Sequence, residues 1–418
     1  MEAPRFFIFE DISSYYPHRS SFTRMSDTPM QPLMPNGPDL PEFPSFAIID
    51  GHVDIVYEMM RFSFGVPFDQ LSTGPVTLDR LKAGGVRAFV VAFYCPDIHN
   101  GPHSASLHLQ SLFDYADSHL AGLKAIRALE DLDACCGNCR QSIGSAQCID
   151  PVKSTTPAEP AGPPGILFLI ENADALLEMD LEALHTRAIK VVGLTHAGKN
   201  RLGDGNGVRN PEGLTREGRQ LVRKLRNEGF ALDVAHLSDP SFRDLIGIFD
   251  GPMISSHTGF RFFCDKPRNV DREHLRIIFE RKGIVGVTVN PEMLSVNEKA
   301  GIEDVFRHID WVVQHYGPDH VALGSDFCGF DMASQGLEDI SRFPALAALL
   351  HHYGYPPYAI EKIMGRNWYL FHASLLDHRI VNSSPTTATD TRRSAVPGWS
   401  PVCVRGAAPV STGRAEDN

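Results

Sequence analysis

Eight short, apolar, β-prone runs recur along this chain, with helix-capable segments between them, at 46–52, 86–94, 166–170, 189–194, 230–235, 252–256, 284–289 and 321–324. Runs of this kind read as buried strands. Helical patterning covers 77–82, 104–133, 217–228, 271–282 and 302–316, and 343–375 reads as closing helices. Gly229, Gly283 and Gly317 stand where helix C-caps belong. Strand alternating with helix predicts a parallel sheet. Eight such units predict a (β/α)8 barrel, with a doubly wound sheet as the alternative.

The barrel domain is expected over 45–378. Residues 1–44, rich in Pro, Ser and Met, are expected to be a flexible extension, and 379–418 a disordered tail. Residues 134–165 read as an inserted loop on the amino-terminal side of the strand that follows, away from any pocket. That loop carries Cys135, Cys136, Cys139 and Cys148, thiols expected to stay reduced or pair locally.

The formal charge of −12 argues against nucleic acid or an anionic membrane as the main partner. No apolar run approaches the roughly 20 residues of a membrane span. Near the start, the run from Phe6 to Phe9 is flanked by Glu2, Glu10 and Asp11, too short and too acidic for a secretory signal. A cytosolic protein is the expectation.

In a barrel of this kind, chemistry gathers at the carboxyl ends of the strands. Strand one ends in His52 and Asp54, strand three in Glu171, strand four in His196, strand five in His236, strand six in His257 and strand eight in Asp326. Strands two and seven end in Tyr94 and Asn290, neither an obvious ligand. One such His is most often a satisfied polar residue; six strand ends of eight carrying His, Asp or Glu point to a metal site. His185, His274, His308, His315, His320, His351, His352, His372 and His378 lie in helical or loop context and read as surface or structural. Seven candidates exceed what one tetrahedral zinc takes. Two ions bridged by a carboxylate would use them, and a hydroxide held between two metals is a nucleophile at neutral pH. No GxSxG elbow offers a serine alternative.

At this point the residues match a known family. The segments are Asp50-Gly51-His52-Val53-Asp54, Gly193-Leu194-Thr195-His196 with Asn200, Gly213-Leu214-Thr215-Arg216-Glu217-Gly218-Arg219, Leu232-Asp233-Val234-Ala235-His236, Ile254-Ser255-Ser256-His257-Thr258, Pro267-Arg268-Asn269-Val270, and His308-Ile309-Asp310 with Gly324-Ser325-Asp326-Phe327. In them the chain resembles the membrane (renal) dipeptidases, peptidase family M19, in a soluble microbial-type version. The resemblance implies a (β/α)8 barrel of the metal-dependent hydrolase type, usually in homodimers, that hydrolyses dipeptides with two Zn2+ per chain. It implies His52 and Asp54 on one zinc, His236 and His257 on the other, and Glu171 bridging them. It implies His196 beside the scissile carbonyl, Asp326 handling the proton, and Arg268, with Asn269 beside it, on the substrate's carboxylate.

Three positions depart from the family pattern. Val53 stands between the first two ligands, where animal members commonly have Asn. Asn172 follows Glu171 where the family usually has Gly, and is expected to narrow the site or move a loop. Cys328-Gly329 stands where Asp-Gly is frequent, and Cys328 is expected to alter substrate choice or confer sensitivity to thiol reagents. These departures motivate an alternative: the same machinery acting on a Cys-Gly conjugate, an N-acyl amino acid or a β-lactam. A non-catalytic scaffold with interaction tails is the remaining reading.

Overall fold

The computed structural model describes residues 46–137 and 162–377. Among the described residues nine strands form one sheet: β1 (Ile48–Val53), β2 (Val86–Tyr94), β3 (Lys124–Ala125), β4 (Gly165–Glu171), β5 (Val191–Gly193), β6 (Ala231–Asp233), β7 (Met253–Thr258), β8 (Val285–Val287) and β9 (Val321–Leu323). All pairs are parallel, in the order β1-β2-β4-β5-β6-β7-β8-β9, with the two-residue β3 beside the start of β4. The ends of this path meet just past β9. Val53 and Phe327 form a parallel bridge, and Asp54 N donates to the Phe327 carbonyl at 2.9 Å. The sheet therefore curls into a nearly closed (β/α)8-type barrel, and the doubly wound alternative is set aside.

A strand covered on both faces must be apolar on both. In β2, Phe89, Val91 and Phe93 join the outer cluster with helix residues such as Leu109 and Phe113. Ala88, Val90 and Ala92 join the interior cluster with Ile49, Leu167, Leu169, Ala231, Ile254 and Trp368. Trp368, from the helix Asn367–Leu376, stands along the seam between β9 and β1. Its Nε1 donates to the Leu323 carbonyl at 2.6 Å, and Asn367 Nδ2 donates to the Val321 carbonyl at 2.9 Å. These two side chains satisfy strand carbonyls where β9 and β1 lack a full ladder. A Cβ on Gly51 would lie 2.3 Å from the Trp368 ring, so that position needs glycine.

Local signals place the helices. Thr77, Thr215 and Asp271 cap the helices Leu78–Ala83, Arg216–Asn227 and Arg272–Glu280 with side-chain oxygens. The patterning at 104–133 divides, because Gly122 turns the chain at φ 81° after the helix Ser104–His119. β3 follows, and Asp131 Oδ2 then accepts from Arg127 N and Ala128 N at the start of the helix Leu129–Cys136. Gly229 and Gly317 take the positive φ of a helix stop, but at 283 the preceding Lys282 takes it instead. Gly283 serves space there: a Cβ would sit 2.0 Å from the Met253 carbonyl oxygen.

The expected loop at 134–165 is shorter at both ends. Cys135 and Cys136 finish a helix, buried among interior residues, and Gly165 opens β4. Residues 138–161, with Cys139 and Cys148, lie outside the described residues, as do the expected extensions 1–44 and 379–418. No described helix is long and apolar enough to cross a membrane.

Candidate metal centre

The strands deliver their polar residues to one end by two local devices. His52 and His257 lie within β1 and β7 where the register slips by one residue. Asp50 pairs with Phe89 and Val53 with Val91; Ser255 pairs with Val285 and Thr258 with Val287. A bulge of this kind re-aims a side chain. His196, His236 and Asp326 instead stand just beyond β5, β6 and β9, and Asp326 holds a left-handed φ of 67°. Glu171 ends β4, and Asp54 leads into the helix Ile55–Phe62.

These side chains converge. Glu171 Oε1 lies 2.9 Å from His236 Nε2 and 3.6 Å from His257 Nε2, and those two nitrogens are 3.1 Å apart. Glu171 Oε2 faces the other way, 3.8 Å from His52 Nε2, which is 3.5 Å from Asp54 Oδ2. Asp326 Oδ1 is 3.8 Å from His257 Nε2. Three donor triads result, each with atoms within 4.8 Å: His52–Asp54–Glu171, Glu171–His236–His257 and His52–His257–Asp326. Among the described residues these triads use no other His. His308, His372 and His274 are buried elsewhere, and His351 and His352 are exposed.

The donor set fits cations. His52 Nε2, Asp54 Oδ1 and His236 Nδ1 are buried without a hydrogen-bond partner. Burial depresses the His52 imidazole, yet Glu171 and Asp54 outweigh it and lift it to about 10. Burial pushes Asp54 up against the pull of His52, and pushes Asp326 well up with Asp54 adding to it. Burial, then the charge of Arg268, holds His236 well down; burial and His52 do the same to His257. Glu171 is raised by burial but held below the usual carboxylate range by His236 and His52. Imidazoles and carboxylates packed this tightly are the ligands a divalent metal such as Zn2+ takes, and metal binding would displace the proton that the carboxylates hold on His52.

The remaining predicted residues divide. The His196 ring lies against His236, tilted by 39° at 4.3 Å between ring centroids, and Arg268 Nη2 is 3.1 Å from His236 Nε2 while its Nη1 donates to the Ala235 carbonyl at 2.5 Å. Asn269 is not brought into the cluster. Its amide donates to the Cys264 and Met293 carbonyls and accepts from Gly259 N, so it fixes the loop after β7. Asn172 holds φ 71°, the conformation that favours glycine. Its side chain turns to the Cys95 carbonyl, Asn100 and Asn200, tying together the loops after β2 and β5. Cys328 is buried beside a cavity of about 380 Å³ lined also by Glu58, Phe62, Phe327 and Phe330. Burial, then Glu58 and Asp54, pushes its thiol well up, which disfavours the reactive thiolate.

Two contributors were not foreseen. Asp97 Oδ2 accepts from Gly198 N at 2.8 Å and lies 3.4 Å from His196 Nδ1, so it orients that ring. Its only signal was a carboxylate shortly after a strand end. Gly329 abuts the cluster: a Cβ there would lie 2.6 Å from both Asp54 Oδ2 and Asp326 Oδ1.

The chain is 33% identical over 190 residues to the dipeptidase tcpJ of Claviceps purpurea, a stretch covering 45% of each chain. It is 26% identical over 335 residues to the dipeptidase verJ of Clonostachys rogersoniana, covering 77% of this chain and 82% of that one. The fold matches a Rhodobacter sphaeroides metallopeptidase structure with a TM-score of 0.66 at 23% identity, covering 79% of this chain and 99% of that one. The model of the membrane dipeptidases matches residues 43–370, and this chain belongs to that family, peptidase family M19.

Proposed function

We propose that this chain is a dipeptidase that holds two Zn2+, with His52 and Asp54 on one, His236 and His257 on the other and Glu171 between them. The observation that carries the reading is the split of the Glu171 carboxylate, one oxygen toward His236 and His257 and the other toward His52. A bound zinc pair would polarise the scissile carbonyl and acidify water. The protein's own groups do the rest. Arg268, a planar guanidinium, would pair with the C-terminal carboxylate of the substrate and set its register. His196, held by Asp97 through Nδ1, would turn Nε2 to the carbonyl oxygen as negative charge develops there. Asp326, 3.8 Å from His257 Nε2, would take a proton from the attacking water and deliver it to the leaving amine.

A panel of dipeptides, including Cys-Gly and L-D pairs, assayed with and without added Zn2+ tests the reading. Chelator-sensitive release of free amino acids is expected. Turnover confined to N-acyl amino acids or β-lactams would move the substrate class, and none on any amide would overturn the reading. The proposal includes a homodimer, read by sedimentation velocity, and a cytosolic location, read by fractionation. It also treats 1–44 and 379–418 as extensions outside a barrel domain of 45–378, whose removal is expected to leave hydrolysis intact.

A further inference from the structure

We propose that Ser256 is a positioning residue that sets one imidazole in each half of the donor cluster, His52 and His257, through a single hydroxyl. The proposal rests on the metal-centre reading above. Ser256 is fully buried in β7. Its Oγ lies 2.5 Å from Asp233 Oδ2, 2.9 Å from His257 Nδ1 and 3.0 Å from His52 Nδ1.

A hydroxyl has one proton and two lone pairs. The proton goes to Asp233, the strongest acceptor of the three, whose other oxygen already takes Ser256 N at 2.9 Å and Ala235 N at 3.0 Å. Both lone pairs then face an imidazole Nδ1, so both rings must donate Nδ1–H. That assignment turns both Nε2 atoms toward the cluster as ligand atoms. His52 Nε2 faces Asp54 and Glu171, and His257 Nε2 faces Glu171 and Asp326. The two rings come from strands more than 200 residues apart in sequence (a separation of 204 between His52 and Ser256), yet one oxygen fixes both.

The molecule holds its own control. Ser325 precedes Asp326 as Ser256 precedes His257, and it makes the same pair of bonds to a buried carboxylate: its N to Asp50 Oδ1 at 2.8 Å and its Oγ to Asp50 Oδ2 at 2.5 Å. The Ser325 hydroxyl otherwise meets backbone, the Phe327 N–H and the His52 carbonyl. Loss of either serine removes a serine–aspartate link between neighbouring strand ends. Loss of Ser256 alone also releases the two imidazoles.

Equilibrium zinc titration of the full-length protein against a competing chelator separates the cases. Ser256→Ala is expected to weaken both zinc equivalents by about 10–100-fold, the usual scale for losing a hydrogen-bond partner behind a metal-ligating His. Ser325→Ala is expected to leave both within about threefold of wild type. Equal losses in the two variants, weakening of one equivalent only in Ser256→Ala, or no weakening would each overturn the proposal. A wild-type chain that binds no zinc would instead remove the metal-centre reading. Should Ser256→Ala not fold, ¹⁵N-histidine NMR of the zinc-loaded wild type decides. Protons on Nδ1 of both His52 and His257 are expected, and a proton on Nε2 of either with Nδ1 bare would overturn it.

Discussion

Gly51 and His52 are adjacent in β1, and they belong to two opposed layers of the barrel interior. Gly51 meets the Trp368 ring in an apolar layer with Ile49, Ala88, Leu169 and Ile254. His52 opens a polar layer in which Asp54, Glu171, His257 and Asp326 are as buried as the apolar side chains beneath them. In the lower layer burial contributes stability, about 25 cal/mol per Å² of apolar surface removed from water. In the upper layer burial works against the groups it encloses. It raises Asp54 and Asp326 and depresses His236 and His257. The contrast teaches where this fold keeps its stability and where it gives stability up for chemistry.

The sharpest way to break the contrast is to delete a ligand. His52→Ala or Asp54→Ala is expected to cut hydrolysis by about 10³-fold or more, to lower zinc content, and to leave the far-ultraviolet circular dichroism of the barrel unchanged. A variant that keeps its zinc and activity would dissolve the distinction between the layers.

Asp326→Asn is expected to lower kcat by about 10²–10⁴-fold while making the metal-free protein more stable at neutral pH. The sign follows from linkage. A carboxyl whose folded pKa is raised binds its proton more tightly when folded, so at neutral pH holding it in the fold costs stability, a cost that disappears as pH falls below the unfolded value. Urea unfolding of the chelated protein reads this directly; a lower midpoint in the Asn variant would contradict it.

Trp368→Ala should do the reverse. A cavity in the lower layer is expected to cost about 3–5 kcal/mol, with zinc stoichiometry and kcat per folded molecule retained. Loss of zinc in proportion to loss of stability would show that the layers are not separable.

The smallest effect is a pH slope. His308 and His372 are buried and depressed by that burial to about 3. Below an unfolded value of about 6.5 the unfolded chain takes up protons that the folded one refuses, so each costs about 1.4 kcal/mol of stability for every pH step downward. His372→Phe is expected to flatten the acid limb of the stability curve by one such increment; an unchanged slope would place that ring in contact with water.

Much of the upper layer was legible in the sequence because it follows from where apolar runs stop. Each run ends where the chain leaves the barrel, and a His or carboxylate at that point has one end of the barrel to reach. The bulges at His52 and His257 were not legible, since a register slip belongs to two strands at once. Asp97 and Ser256 escaped for the same reason: their partners lie about 100 and 200 residues away. Asn269 stands in the segment matched to the family's substrate site, but its amide is consumed by Gly259 N and the Cys264 carbonyl of its own loop and by the Met293 carbonyl beyond β8. Asn172 was legible as a departure but not in its effect, because φ at that position sends its amide to neighbouring loops and not to Glu171. The helical pattern over 104–133 hid a break that one glycine and the edge of β4 impose.

Metal content tests the central claim most directly. The full-length protein, stripped with chelator, equilibrated with Zn2+ and dialysed to constant free metal, is expected to retain two equivalents per chain. Retention of none, or of two equivalents that survive unchanged in Glu171→Ala, would contradict the account.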